Sequence, residues 1–94
     1  MPQYKSAFVA PMRGASVLAH RERSGKWGPF GGKVEERDGG DAIQTALREF
    51  CEEWKDATGL DASEGVKALL SSAETFPLPE CHAVVYKIDA PDWL

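Results

Sequence analysis

With 94 residues, 43% of them hydrophobic, the chain can bury only roughly 60 to 65% of its unfolded surface, which is enough for one core and not for two. Fifteen acidic residues against eleven basic ones leave a net charge of -4, which argues against a nucleic acid polymer as partner. The two cysteines, Cys51 and Cys81, match no metal-ligand spacing and are too few for a disulfide scaffold, and no apolar run approaches the roughly 20 residues of a membrane span. The expectation is one soluble cytoplasmic domain over residues 1–94, with no membrane partner.

SAFVAPM (6–12) and ASVLAHRER (15–23) read as strands separated by Arg13-Gly14, a connection that favours an antiparallel hairpin. Pro11 predicts an edge or a bulge for the first of them. In SGKWGPFGGKVEERDGGD, six glycines and a proline within eighteen residues exclude a long regular element, although FGGKV can pair as a short strand. Loops of this kind carry function.

From Asp41 the period changes. Ile43, Ala46, Leu47, Phe50 and Trp54 recur at helical spacing, Asp41 with Gln44 resembles a capping box, and Gly59 can end the element, so a helix is expected from Ala42 to Ala57. VKALLSSAETF (66–76) and HAVVYKI (82–88) are read as two further strands, with FPLPE as a proline-marked connection between them.

The stretch LREFCEEW sets Glu49, Glu52 and Glu53 within an arc of roughly 100° on that helix, away from Ile43, Leu47, Phe50 and Trp54. Like charges at these spacings repel by a few tenths of a kcal/mol per pair, about as much as one ion pair returns. Arg48 reaches Glu52 at i+4, but one cation cannot neutralise three carboxylates. A hard divalent ion such as Mg²⁺ or Mn²⁺ can, because it prefers oxygen ligands and keeps positions open for water and phosphate oxygens. Acidic helix faces are usually just solvated; what singles this one out is the glycine-rich loop before it, whose backbone can approach a metal or phosphate closely.

Together, GKWGPFGGKVEERDGGDAIQTALREFCEE resembles the box of the Nudix hydrolase family, written G-x5-E-x7-R-E-U-x-E-E-x-G-U with U a bulky aliphatic residue. Gly32 matches the first glycine, and Arg48-Glu49-Phe50-Cys51-Glu52-Glu53 matches R-E-U-x-E-E with an aromatic at U. The departures are local. Counting six from Gly32 reaches Asp38 where the family has glutamate, with Asp41 as competitor, and Arg48 lies two residues beyond its consensus place. After Glu53, four added residues precede Gly59; they amount to about one helical turn and preserve the phase of the helix.

The resemblance implies an α/β (α+β) fold, a mixed sheet with the loop-helix unit packed on it and the C-terminal layer shortened. It implies hydrolysis of a nucleoside diphosphate derivative, including a nucleoside triphosphate to monophosphate plus pyrophosphate, by a metal-activated water. Glu49, Glu52 and Glu53 would hold Mg²⁺ or Mn²⁺, with the Gly32 carbonyl as a further ligand, and Arg48 would orient the glutamates. Glu53 is the first candidate for the base that takes the proton from water, alongside Glu52, with Glu74 and Glu80 as alternatives. The alternative function is a nucleotide-binding module that does not cleave. The KWGPFGGKVE run is also similar to members that remove oxidised purine nucleoside triphosphates, where Trp27 and Phe30 would stack on a base, although aromatics flanking a loop more often anchor it by packing. Of the cations Arg21, Arg23, Lys26 and Lys33 around the loop, Lys33 is the best candidate for phosphate. A missing cover on the sheet predicts a homodimer or a larger partner. His20 and His82 have no carboxylate or cysteine neighbours in sequence and are read as structural, and Cys51 as a small hydrophobe beside the apolar stripe.

Overall fold

The computed structural model describes residues 4–22 and 24–94. In chain order these form β1 (Ser6–Arg13), β2 (Ser16–Val17), β3 (His20–Arg21), β4 (Trp27–Gly28), β5 (Phe30–Lys33), α1 (Ala42–Thr58), α2 (Ser63–Leu70), β6 (Glu74–Leu78) and β7 (Ala83–Asp89). The main sheet is mixed: β1 pairs in parallel with β7 on one side and antiparallel with β5 and then β2 on the other, while β6 closes the far edge against β7. β3 and β4 make a separate two-stranded ribbon in which Arg21 faces Trp27.

The expected hairpin is present as β1 and β2, with Met12 opposite Val17. Pro11 is not at an edge, since β1 is an interior strand. It lies where the antiparallel neighbour changes, after the Val9–Phe30 pair and before the Met12–Val17 pair. A residue without an N–H is tolerated in the break between two partners.

Alternation along the strands decides which face is covered. Ala7, Val9 and Pro11 of β1 are buried on the same side as Val84, Tyr86 and Ile88 of β7. The helices supply the other half of this core: Ala46 and Phe50 from α1, Val66 and Leu70 from α2. Burying each side chain of Val, Leu or Phe size contributes about 1.5–3 kcal/mol. Ile43, expected in the stripe, is 38% exposed. Among the described residues no helix covers the opposite face of the sheet, and across it runs an apolar row of Phe8, Val85 and Phe76, which are direct neighbours on β1, β7 and β6.

α1 begins as expected, although the cap is one-sided: the Asp41 carboxylate accepts from Ile43 N–H at 3.0 Å, and Gln44 is exposed. It ends at Gly59, whose φ of 77° lets its N–H turn back to the Lys55 carbonyl. The strand expected over 66–76 is a correction. Residues 66–70 belong to α2, because Val66 and Leu70 stand one turn apart on one buried face against α1 and β7. FPLPE is likewise not a plain connection, since Phe76-Pro77-Leu78 continues β6, an edge strand where proline is admissible. Among the described residues no helix is long and apolar enough to cross a membrane.

Candidate active site

β5 and α1 face each other across the glycines of FGGK. Gly32 sits opposite Ala7 on the covered side, and a Cβ there would lie 2.6 Å from the Glu49 carboxyl carbon. Glu49 therefore occupies the space that glycine leaves. Gly31 turns the other way with φ of 150°, where a Cβ would strike the Ala7 carbonyl oxygen and Phe8. Its N–H points back at α1 and donates to Glu53 Oε1 at 2.8 Å.

Arg48 organises the near end of the site. Its Nε donates to Asp38 Oδ1 at 2.9 Å and its Nη2 to Asp38 Oδ2 at 3.0 Å, a bidentate fork on a carboxylate that also accepts from the Thr45 hydroxyl and Glu35 N–H, each at 2.8 Å. Asp38, not Asp41, is thus the partner of the arginine, and hydrogen bonding to Arg48 holds its carboxyl well below the usual carboxylate range despite burial. The shorter side chain works because the turn at 36–38 brings it up to α1. Arg48 Nη1 donates to Glu49 Oε1 at 2.8 Å and lies 3.7 Å from Glu52, and Nη2 reaches the Lys33 carbonyl at 3.2 Å.

The three glutamates share a helix flank but are drawn to different partners. Glu49 meets Arg48; Glu52, half exposed, is 3.4 Å from Arg37; Glu53 lies 2.9 Å from His20 Nε2. Among the described residues no three His, Cys, Asp or Glu side chains converge as a ready-made metal cage. The donor chemistry nonetheless fits a hard cation, since all three offer carboxylate oxygens beside a strand that carries no side chain at 31 or 32. Burial raises the pKa of Glu53 above its ordinary value, partly offset by the Gly31 N–H and by His20.

The expected substrate residues divide. Phe30 is a correction: it is 2% exposed, with its ring 4.5 Å from Phe50, 6.4 Å from Trp54 and 5.1 Å from His20, so it has no face left for a base. Trp27 is 71% exposed on the β3–β4 ribbon. Lys33 pairs with Ser6, so alternation turns its side chain to the open face, away from Glu49. Glu74 and Glu80 are exposed on β6 and the turn after it. Arg23 lies outside the described residues. Two groups that the sequence reading set aside stand at the site: His20, and Arg21 beside it. With Glu22, Glu53, Asp56 and Ala57 they line a cavity of about 580 Å³. Nothing in the local sequence around His20 announces this, because its partner is thirty-three residues away on another element. Cys51 is half-buried, and burial raises its thiol pKa, which fits the reading as a small hydrophobe.

Among curated proteins and among solved structures, none matches the chain. The family model described as NUDIX domain does, over residues 3–92. That match takes in the strand-loop-helix unit with its glycine pair, its arginine and its three glutamates, and the sheet on which it rests: the chain belongs to the Nudix family.

Proposed function

We propose that this Nudix domain is a divalent-cation-dependent pyrophosphohydrolase acting on a nucleoside diphosphate derivative, including a nucleoside triphosphate cleaved to monophosphate and pyrophosphate. The observation that carries the reading is the packing of the Glu49 carboxylate into the space left by Gly32, with Glu53 hydrogen-bonded to Gly31 N–H and Arg48 locked by Asp38. Glu49, Glu52 and Glu53, with the Gly32 carbonyl, would hold Mg²⁺ or Mn²⁺; when bound, the ion would neutralise a pyrophosphate and lower the pKa of water.

The chain's own groups have separate tasks in this reading. Arg48 orients Glu49 rather than touching substrate, because four of its N–H donors go to Asp38, Glu49 and the Lys33 carbonyl, with Glu35 3.0 Å from Nη2. Glu53 is the proton acceptor: burial keeps it more basic than an ordinary glutamate while it stays beside the cavity. Glu52 remains the second candidate. Trp27 offers an exposed ring for stacking on a base, and Arg21, its partner on the ribbon, offers charge to phosphate. Lys33 would serve only by reaching round the edge of β5.

Assaying nucleoside diphosphate derivatives with and without Mg²⁺ tests the reading. Product release only with Mg²⁺ is expected. A nucleotide-binding module that does not cleave is the second reading, favoured by carboxylates that do not converge; nucleotides that raise the melting temperature with no product released would establish it in place of the first.

Two further expectations belong to the same proposal. The free cysteines Cys51 and Cys81 suit the reducing cytoplasm. The open sheet face suits a homodimer: the Phe8–Val85–Phe76 row is flanked by the directly paired Lys87 and Glu74, whose opposite charges a two-fold related copy would meet in reverse order. Light scattering at micromolar concentration should give twice the chain mass; the mass of one chain rejects the dimer.

A further inference from the structure

His20 is the side chain in contact with Glu53 that has no assigned task. It lies on β3, outside the box, and its ring rests 5.1 Å from that of Phe30, which is itself fixed against Phe50 and Trp54. That packing sets the plane of the imidazole. Nε2 then faces two oxygens at once, Glu53 Oε2 at 2.9 Å and the Pro29 carbonyl at 3.1 Å. A carbonyl only accepts, so Nε2 carries a hydrogen and donates it to Pro29, and the Glu53 carboxylate stands close against the positive edge of the same N–H.

The consequence falls on Glu53. Its Oε1 takes the Gly31 N–H and its Oε2 rests 2.9 Å from His20 Nε2, so each oxygen has one fixed neighbour while lone-pair positions stay free on the carboxylate. Glu52, by contrast, is 53% exposed, and among the described residues its hydrogen bond is the long one from the Arg37 guanidinium at 3.4 Å. Of the two adjacent glutamates, only Glu53 is held in one place, and His20 is half of what holds it.

We propose that His20 is a positioning residue: its Nε2–H, oriented by the Pro29 carbonyl and held 2.9 Å from Glu53 Oε2, fixes the Glu53 carboxylate against the glycine strand before any ligand arrives. This rests on the reading of Glu53 as a functional carboxylate. Outer hydrogen-bond partners of ligating carboxylates commonly govern 10–100-fold in metal affinity, whereas a side chain that only fills space governs stability. The Pro29 carbonyl makes the arrangement specific, because it orients the donor as well as accepting from it.

The experiment titrates Mn²⁺ into the full chain, reading free Mn²⁺ by electron paramagnetic resonance, for the unsubstituted protein, His20→Gln and His20→Asn, with metal-free melting measured beside it. A glutamine amide can put an N–H where Nε2–H stands; asparagine is one methylene too short. The expected result is Mn²⁺ affinity within about threefold of the unsubstituted protein for His20→Gln and on the order of tenfold weaker for His20→Asn, with the two variants melting together. Equal Mn²⁺ affinity in all three proteins, or equal loss in both variants tracking a common fall in melting temperature, overturns the inference. No Mn²⁺ binding by the unsubstituted protein removes the metal-site reading itself and takes this inference with it, an outcome separate from the other two.

Discussion

Asp38 and Arg48 meet through two hydrogen bonds, Nε to Oδ1 at 2.9 Å and Nη2 to Oδ2 at 3.0 Å, with side chains only 3% and 15% exposed. The pair ties the turn at 36–38 to α1 ten residues later, and through Arg48 it fixes Glu49. Removing one partner of such a pair strands the other, at about 3–5 kcal/mol when burial is complete. Arg48 keeps some solvent and keeps Glu35 and Glu49, so Asp38→Ala should cost about 2–3 kcal/mol in urea unfolding. A loss under about 0.5 kcal/mol, the size of a surface change, would contradict it.

The same carboxylate sets an acid limit. Arg48 lowers the folded-state pKa of Asp38 below the 3.8 of an unstructured aspartate, so the folded chain binds that proton less readily than the unfolded one. The stabilisation is fully present above the unfolded value and is lost as pH falls below about 4 towards the folded one. The urea midpoint of the native sequence should therefore drop more steeply between about pH 5 and pH 3 than that of Asp38→Asn, which starts lower. Parallel profiles for the two proteins would show that the pair is not what acid breaks.

Adjacent glycines should give opposite phenotypes. Gly31→Ala pushes a methyl into the backbone of the interior strand at a φ of 150°, which β1 cannot yield to, so the variant should be poorly folded. Gly32→Ala first meets the carboxylate end of the Glu49 side chain rather than backbone, so it should fold, melt within a few degrees of the native protein and lose at least about tenfold in turnover as Glu49 is displaced. Circular dichroism with an activity assay separates the two, and full activity in Gly32→Ala would remove Glu49 from the site.

Glu52→Gln and Glu53→Gln should each lower turnover at least about a hundredfold, as loss of a metal ligand or base does, with the fold kept. Glu52 is 53% exposed, so its effect cannot come from the core. Near-normal rates in both variants would reject the roles assigned to them.

Where sequence legibility ended has a physical explanation. α1 could be read because its signals are local: Asp41 caps it, Gly59 stops it, and Ala46 and Phe50 lie on one stripe. The glutamate trio and its glycine loop were equally legible, being contiguous in the chain. α2 was not, because eight residues with Val66, Leu69 and Leu70 read as well as a strand, and only packing against α1 and β7 selects the helix. The places of Phe30 and His20 were illegible for a related reason. Whether an aromatic beside a loop faces a ligand or the core, and whether a histidine meets a carboxylate, depends on partners such as Phe50 and Glu53 on another element.

The central claim is that Glu49, Glu52 and Glu53 bind a divalent cation that in turn binds a diphosphate. Calorimetric titration of Mg²⁺ into the folded protein, alone and with a non-hydrolysable nucleoside triphosphate, tests it most directly. Saturable heat, strengthened by the nucleotide and abolished in a Glu52→Gln, Glu53→Gln double variant, is the predicted result; a native protein that takes up no Mg²⁺ or Mn²⁺ under either condition would contradict it.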